Sequence, residues 1–222
     1  MPQAPSPQEQ IVVTAERLFA ERGLDGVSLR QIGTAAGNGN HSAVQYHFGS
    51  KEQLVRAIFE HRLPHLHERR RLLMERRDPD DLRSTLEAYV LPILEQGEQQ
   101  GSHYLGFVAM LQQHADPHLF ESSPEALRTS TQQHRENLRA LLVAIPEPLR
   151  SHRLSEAIAI SVLASARRER AMAAGVPVLP FAVHVADLLD GLVGFLEAPV
   201  SPAALAALDA TELTTLGALL PI

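Results

Sequence analysis

Cysteine is missing from all 222 residues of the chain. That removes disulfides, thiolate metal sites and cysteine nucleophiles together. Lysine is almost missing: Lys51 is the only one among 20 basic side chains, a compositional bias towards arginine. No uncharged apolar run reaches the roughly 20 residues of a membrane-spanning helix, and mean hydropathy is close to zero at −0.08. The chain also lacks a Gly-x-Ser-x-Gly elbow, a phosphate loop ending Gly-Lys-Ser/Thr, and a Gly-x-Gly-x-x-Gly turn after a strand. These absences take away the usual hydrolase, nucleotide and dinucleotide chemistries. Nothing supports an enzyme, although a helical-bundle enzyme stays open as an alternative.

Histidine, by contrast, is plentiful, with 11 residues. His61/His65 and His114/His118 have the i, i+4 spacing that sets two imidazoles on one helix face. Pro64 and Pro117 fall inside those pairs, and no Glu-x-x-His exists to complete a di-iron set. We therefore expect scattered histidines, no metal and no cofactor. Carboxylate pairs such as Glu95/Glu98 read as solvated. At 45% apolar residues the chain can bury a substantial core. Pro2, Pro5 and Pro7 precede the first basic residue, Arg17, so residues 1–7 are expected to be a flexible arm rather than a signal peptide, in a cytoplasmic protein.

What remains is helical in pattern. Ile11, Val12, Ala15, Leu18 and Phe19 make one apolar face over 8–22, with Gly23 as its C-cap. Lys51 to Arg62 reads as a helix ending before Pro64, since the residue preceding proline avoids the helical region. A further helix runs to about Arg77, its Arg69–Arg71 and Arg76–Arg77 runs expected to form a solvated face. Helical spacing recurs near 81–98, 101–114, 124–144, 149–174 and 181–197, with a short helix at 202–209. Pro92 should kink or split the first of these. Short connections between helices of this length indicate an antiparallel bundle. The 181–197 helix is apolar over more than half its circumference, and Gly191 and Gly194 permit close approach. Such a helix is either central to its own bundle or covered by a partner, and a second copy of the chain is the expected partner, through 149–174 and 181–197.

The most informative stretch is Ser28–Leu54. Ser28 can cap a helix in which Leu29, Ile32 and Ala36 share a face, and Gly37-Asn38-Gly39 supplies a sharp reversal. A short segment follows, with Val44 and Phe48 pointing in and Asn40, His41, Ser42, Gln45 and Tyr46 free to point out. Ser50 and Gln53 have capping-box spacing for the next helix. This is the grammar of a helix-turn-helix. Glutamine can read adenine N6 and N7, serine and histidine reach bases or phosphates, and Ser28 and Lys51 lie at helix starts that favour phosphate oxygens, with Arg30 one step on. Charge distribution agrees with this: residues 1–77 hold 11 basic against 8 acidic residues, the remainder 9 against 18. A plain three-helix unit with a polar surface has the same pattern.

The run Ala15-Glu16-Arg17-Leu18-Phe19-Ala20-Glu21-Arg22-Gly23, then Val27-Ser28-Leu29-Arg30-Gln31-Ile32, Ala35-Ala36-Gly37 and His47-Phe48-Gly49-Ser50-Lys51-Glu52-Gln53-Leu54 resembles the tetracycline-repressor (TetR) family of transcriptional regulators. The resemblance covers about residues 8–60. It implies an all-α homodimer with a helix-turn-helix domain over 8–50, a linking helix over 51–63, and a larger antiparallel helical bundle over 64–222 that binds a small ligand and dimerises. It further implies a double-stranded DNA operator, no membrane association and a small-molecule effector of unknown identity. A DNA-binding dimer without an effector is the rival within the same fold. Tyr89, Tyr104, Phe107, Met110 and His134 have residue types suited to an apolar pocket with a few polar contacts, and equally to a core. The chain departs from the family in three places. The turn after Gly37 is one residue longer than usual, the usual Leu-Tyr pair is Val44-Gln45 with a tyrosine at 46, and Gly33 replaces the common alanine.

Overall fold

A computed structural model describes residues 6–37, 43–113 and 125–209, which contain ten helices and no strand. In chain order these are α1 (Pro7–Arg22), α2 (Leu29–Ala35), α3 (Ala43–His47), α4 (Lys51–Met74), α5 (Leu82–Gly97), α6 (Tyr104–Gln113), α7 (Glu125–Leu141), α8 (Leu149–Ala173), α9 (Phe181–Glu197) and α10 (Pro202–Asp209). Among the described residues, no single helix is long and apolar enough to cross a membrane.

Local chemistry explains most helix ends. Ser6 and Glu9 form a full capping box at α1, the serine hydroxyl accepting from the Glu9 amide and the carboxylate accepting from the Ser6 amide. Gly23 ends α1 at φ 73°, a conformation that costs other residues about 1 kcal/mol or more. Gly26 is required on different grounds, because a Cβ there would lie 2.3 Å from the Arg22 carbonyl oxygen. At α4 the Ser50 hydroxyl accepts from the Gln53 amide. The reciprocal box expected there forms instead at Ser6–Glu9 and at Ser28–Gln31.

Two expectations about proline are corrected. Helix α4 does not end before Pro64; it runs unbroken to Met74. Proline forfeits one amide hydrogen bond there, but Pro64 and Glu60 both face solvent, where water can satisfy the freed carbonyl. Leu63 and Leu66, fully buried on the opposite face, hold the helix to the core. His61 and His65 consequently sit on one continuous helical turn. Pro92 likewise lies inside a single helix, α5, and is itself buried.

Helices α5, α6 and α8 form the middle of the bundle, with α9 against α5 and α8, and α7 against α4, α5 and α8. Helix α1 packs on α6 as well as on α2 and α4. Phe19 of α1 stacks on Phe107 of α6 and Phe59 of α4 packs against it at a tilt, with ring centroid separations of 6.3 and 5.7 Å. Each fully buried phenylalanine contributes about 1.5–3 kcal/mol of transfer free energy, so this aromatic cluster is a main tie between the N-terminal helices and the bundle.

Two buried carboxylates add polar ties, Glu16 between α1, α4 and the start of α6, and Glu169 within the bundle. Glu16 on α1 accepts from Arg62 of α4 at 2.7 and 2.8 Å and from the His103 amide at 3.2 Å. Glu169 on α8 accepts from the Leu105 and Gly106 amides at 3.4 and 2.8 Å, capping the N-terminus of α6 from another helix. Burial raises the Glu169 pKa, and its hydrogen bonds to Gly106, Ser102 and Leu105 oppose that rise. Glu95 and Glu98, expected to be solvated, are paired with Arg69 and Arg168. The arginine run is not uniformly solvated either. Arg69 and Arg71 are exposed and paired with glutamates, whereas Arg70 between them is completely buried.

Candidate nucleic-acid interface

The interface is built from α2 outward. The Ser28 hydroxyl accepts from the Gln31 amide at 3.3 Å, and Gln31 Oε1 accepts from the Ser28 amide at 2.8 Å and from the Ser28 hydroxyl at 2.9 Å. Ile32 on the inner face is fully buried, with Leu29 and Ala36 packed beside it. Gly37 leaves α2 at φ 71°. Val44 of α3 is fully buried against α2, and a Cβ at Gly33 would lie 3.2 Å from Val44 Cγ2. The glycine that replaces the family's usual alanine therefore makes room for a β-branched residue on the facing helix. That pairing was not legible in either position alone.

Anchoring Val44 turns the other side of α3 outward. Gln45, Tyr46 and His47 are exposed, Tyr46 at 85%. The Gln45 amide donates to the Gly49 carbonyl at 2.9 Å, which leaves its Oε1 as the outward acceptor. Tyr46 makes an edge contact with the His47 ring, and Gln8 Nε2 lies 3.1 Å from His47 Nδ1. Asn40, His41 and Ser42, expected at the start of the recognition helix, lie outside the described residues.

The expected phosphate-facing residues have defined positions. Ser28 is exposed but its hydroxyl serves the cap. Lys51 opens α4, and its ammonium donates to the Leu24 carbonyl at 2.7 Å, crossing 27 residues of sequence to tie α4 to the end of α1. Arg30 is exposed on α2 and lines a groove of about 360 Å³ with Arg17, Leu18, Arg22, Gln31, Thr34 and Ala35. The arginine-lined groove between α1 and α2 was missed from sequence. Its signal was the spacing of Arg17 and Arg22 relative to Arg30, which only the fold brings together.

A short helix with an exposed outer face, packed on a box-capped neighbour, suits a helix-turn-helix, and comparison with known proteins agrees. Residues 11–58 match the family described as bacterial regulatory proteins, tetR family. The likeness to the tetR family is carried by this N-terminal segment. An HTH-type transcriptional repressor of Mycobacterium tuberculosis is 47% identical over 51 residues, 23% of this chain and 27% of that one, and an HTH-type regulator of Mycobacterium bovis matches equally. The match thus spans about a quarter of the length of these curated relatives. Solved structures extend the likeness in fold. A transcriptional regulator from Rhodococcus sp. Rha1 superposes with a TM-score of 0.56 at 23% identity, over 89% of this chain and 100% of that one. The fatty acid degradation regulator FadR from Bacillus halodurans gives 0.57 at 14% identity, over 84% and 98%. The TetR family regulator PfmR from Thermus thermophilus gives 0.51 at 20%, over 89% and 99%.

Of the five residues suggested for a ligand pocket, Tyr89, Tyr104 and His134 lie around Arg70, whereas Phe107 and Met110 belong to the apolar core and its edge. Tyr104 and Phe107 are fully buried on α6, next to each other in the aromatic core. Tyr89 is fully buried on α5 under the Arg70 guanidinium, which stacks 4.1 Å from its ring centroid. Met110 is partly buried at the core edge, and His134 on α7 is half-buried. Among the described residues, no three histidine or carboxylate side chains converge as metal ligands would.

Proposed function

We propose that this chain is a ligand-responsive repressor, which binds a palindromic operator as a homodimer and releases it when a small molecule enters the helical bundle. The observation carrying this is the outward face of α3, Gln45 and Tyr46, anchored by the buried Val44 on the capped α2, in a chain whose residues 11–58 match this family. Gln45, with Asn40, His41 and Ser42, reads bases; Ser28, Arg30, Tyr46 and Lys51 hold the phosphate backbone.

Dimerisation through α8 and α9 is supported by apolar side chains left in solvent. Ile160 and Leu163 on α8 and Val183 and Phe195 on α9 are exposed, while Val185, Leu189, Leu192 and Leu196 bury the other side of α9. A Cβ at Gly191 or Gly194 would meet nothing within 4 Å, so a second α9 can approach there closely. Two recognition helices then fit successive major grooves when they lie about 34–36 Å apart. A ligand that releases the operator must favour the mismatched state, and a shift from 1:99 to 99:1 needs about 5.5 kcal/mol of differential affinity.

Selection of bound sequences from random DNA tests this reading. A palindrome with half-sites one helical turn apart is expected; enrichment of an isolated half-site, or none, sinks it. An effector-free DNA-binding dimer is the second reading, favoured by the close packing of Tyr104 and Phe107. A thermal-shift screen that finds no compound able both to stabilise the protein and to release DNA would establish it.

A further inference from the structure

Arg70 has no fully buried arginine counterpart among the described residues. It is fully buried on α4, between Leu63, Leu66 and Met74 of the same apolar face. Its Nε donates to the Tyr89 carbonyl at 3.2 Å, and its plane stacks on the Tyr89 ring. Both terminal guanidinium nitrogens are buried and have no hydrogen-bond partner among the described residues. No carboxylate of those residues pairs with it, although the neighbouring Arg62, Arg69, Arg71, Arg139 and Arg168 each have one. A guanidinium cannot shed its proton to escape burial, so the charge persists without a counter-ion among the described residues.

Further unpartnered polar groups gather around it. The Tyr104 hydroxyl on α6, both His67 ring nitrogens on α4, and His134 Nδ1 and the Thr131 hydroxyl on α7 are all buried without a partner among the described residues. Helices α4, α5 and α7 pack on one another here, and Arg70 is close enough to Tyr104, His67 and His134 to act on each electrostatically. Buried polar groups in native proteins are nearly all satisfied, so five unsatisfied side chains converging from three helices mark a binding site rather than a core.

We propose that this cluster is the effector site of the repressor reading above, and that it takes a monoanionic carboxylate carried on a largely apolar body. The inference rests on that reading for the consequence of binding, but not for the binding itself. The free edge of the guanidinium presents two parallel N–H groups, the fork that a carboxylate accepts bidentately. Tyr104, Thr131 and the imidazoles offer neutral hydrogen bonds around that edge. Burial and the Arg70 charge push both imidazoles down to about 4, so they bring no second positive charge at neutral pH. Arg70 is the fully buried cation here, and Arg77, which also acts on His134, lies nearer the surface with its Nη1 held by the Met74 carbonyl, so the guanidinium fork of Arg70 sets the preference for a carboxylate.

The site is wired to the DNA-binding helices. Tyr104 faces Arg70 and also carries the Arg62 guanidinium 5.8 Å from its ring centroid. Arg62 in turn holds Glu16 of α1, which accepts from the His103 amide beside Tyr104. A carboxylate that draws Tyr104 and Arg70 together therefore acts directly on the contact joining α1 to α4.

The test is calorimetric titration of the intact protein, without DNA, with acetate, octanoate, decanoate, benzoate and phenylacetate, each against its primary amide. At least one carboxylate should bind ten or more times more tightly than its amide, with Arg70→Met abolishing the preference and Arg70→Lys retaining part of it. Arg70→Met should also raise the Tm of the unliganded protein, which a purely structural arginine would not do. Equal binding of acid and amide, no binding by any of the five acids, or an undiminished preference in Arg70→Met would overturn the proposal. So would inorganic phosphate competing as well as the acids. Operator binding, followed separately by fluorescence anisotropy, distinguishes the two failures: carboxylate binding without DNA binding removes the repressor reading alone, and DNA binding without carboxylate binding removes this site alone.

Discussion

The Glu16–Arg62 pair is the contact whose removal can be worked through in most detail. The carboxylate is 1% exposed and the guanidinium 11%, and the two meet bidentately at 2.7 and 2.8 Å. Breaking a buried pair by removing one partner costs about 3–5 kcal/mol, mostly the penalty on the charge left behind. Glu16→Leu strands Arg62, whose other partner is Gln99, and orphans the His103 amide. Arg62→Met strands Glu16 with one amide donor. Replacing both leaves no buried charge, so the double variant should lose only about 1–3 kcal/mol, the cost of the unsatisfied His103 amide. The double-mutant cycle should therefore show a coupling of at least about 3 kcal/mol, far above the additive limit. Chemical denaturation at one fixed protein concentration measures it, since an oligomer's stability depends on concentration. For a chain of this length, each single change should lower Tm by about 6–20 °C. Additive effects, or single losses under about 1 kcal/mol, would refute the claim that this ion pair is buried and unrelieved by water.

Three other outcomes follow from the geometry. Gly26→Ala should destabilise by about 1–3 kcal/mol in a denaturation curve, because its Cβ collides with the Arg22 carbonyl at 2.3 Å. Tyr46→Ala should leave stability within about 0.5 kcal/mol, since the side chain is 85% exposed, while weakening operator binding in a gel-shift titration. Stability should also fall in mild acid. Free histidines protonate near pH 6.5, but His67 and His134, desolvated and beside Arg70, are held down to about 4. The unfolded chain therefore gains protons first, and stability is full above about pH 6.5 and lost as pH falls towards 4. After allowance for solvent at the half-buried His134, the pair amounts to on the order of 3 kcal/mol. A denaturation midpoint that stays level from pH 7 to 4.5 in wild type, and does not differ from His67→Gln/His134→Gln, would contradict this.

Much of the fold was legible because helical periodicity is a local signal. The spacing over 149–174 and 181–197 located α8 and α9 to within a residue. So did the inward Val44 and the outward Gln45 and Tyr46, whose orientation follows from a two-sided helix. Proline misled at residue 64 because its local preference was outweighed by the burial of Leu63 and Leu66, which depends on helices far along the chain. Arg70 was invisible for a related reason. Within a run of three arginines nothing local marks the middle one, and its fate is set by Tyr89 and Tyr104 on two other helices. Glu16 and Glu169 were likewise indistinguishable from surface glutamates, since a carboxylate acquires its role only when distant amides arrive.

The way α1 is shared has a practical meaning for anyone recombining these proteins. Glu16 and Phe19 face the bundle while other residues of the same helix support α2, so the first 60 residues are not a cassette. Ala20 comes within 3.3 Å of where a Cβ on Gly106 would stand, so an alanine or larger residue at the facing position of a foreign bundle would jam the graft. A chimera meant to borrow the proposed DNA specificity should therefore keep the bundle-facing side of α1 native to the recipient, and transplant α2 and α3 together with the α1 side chains that pack on them.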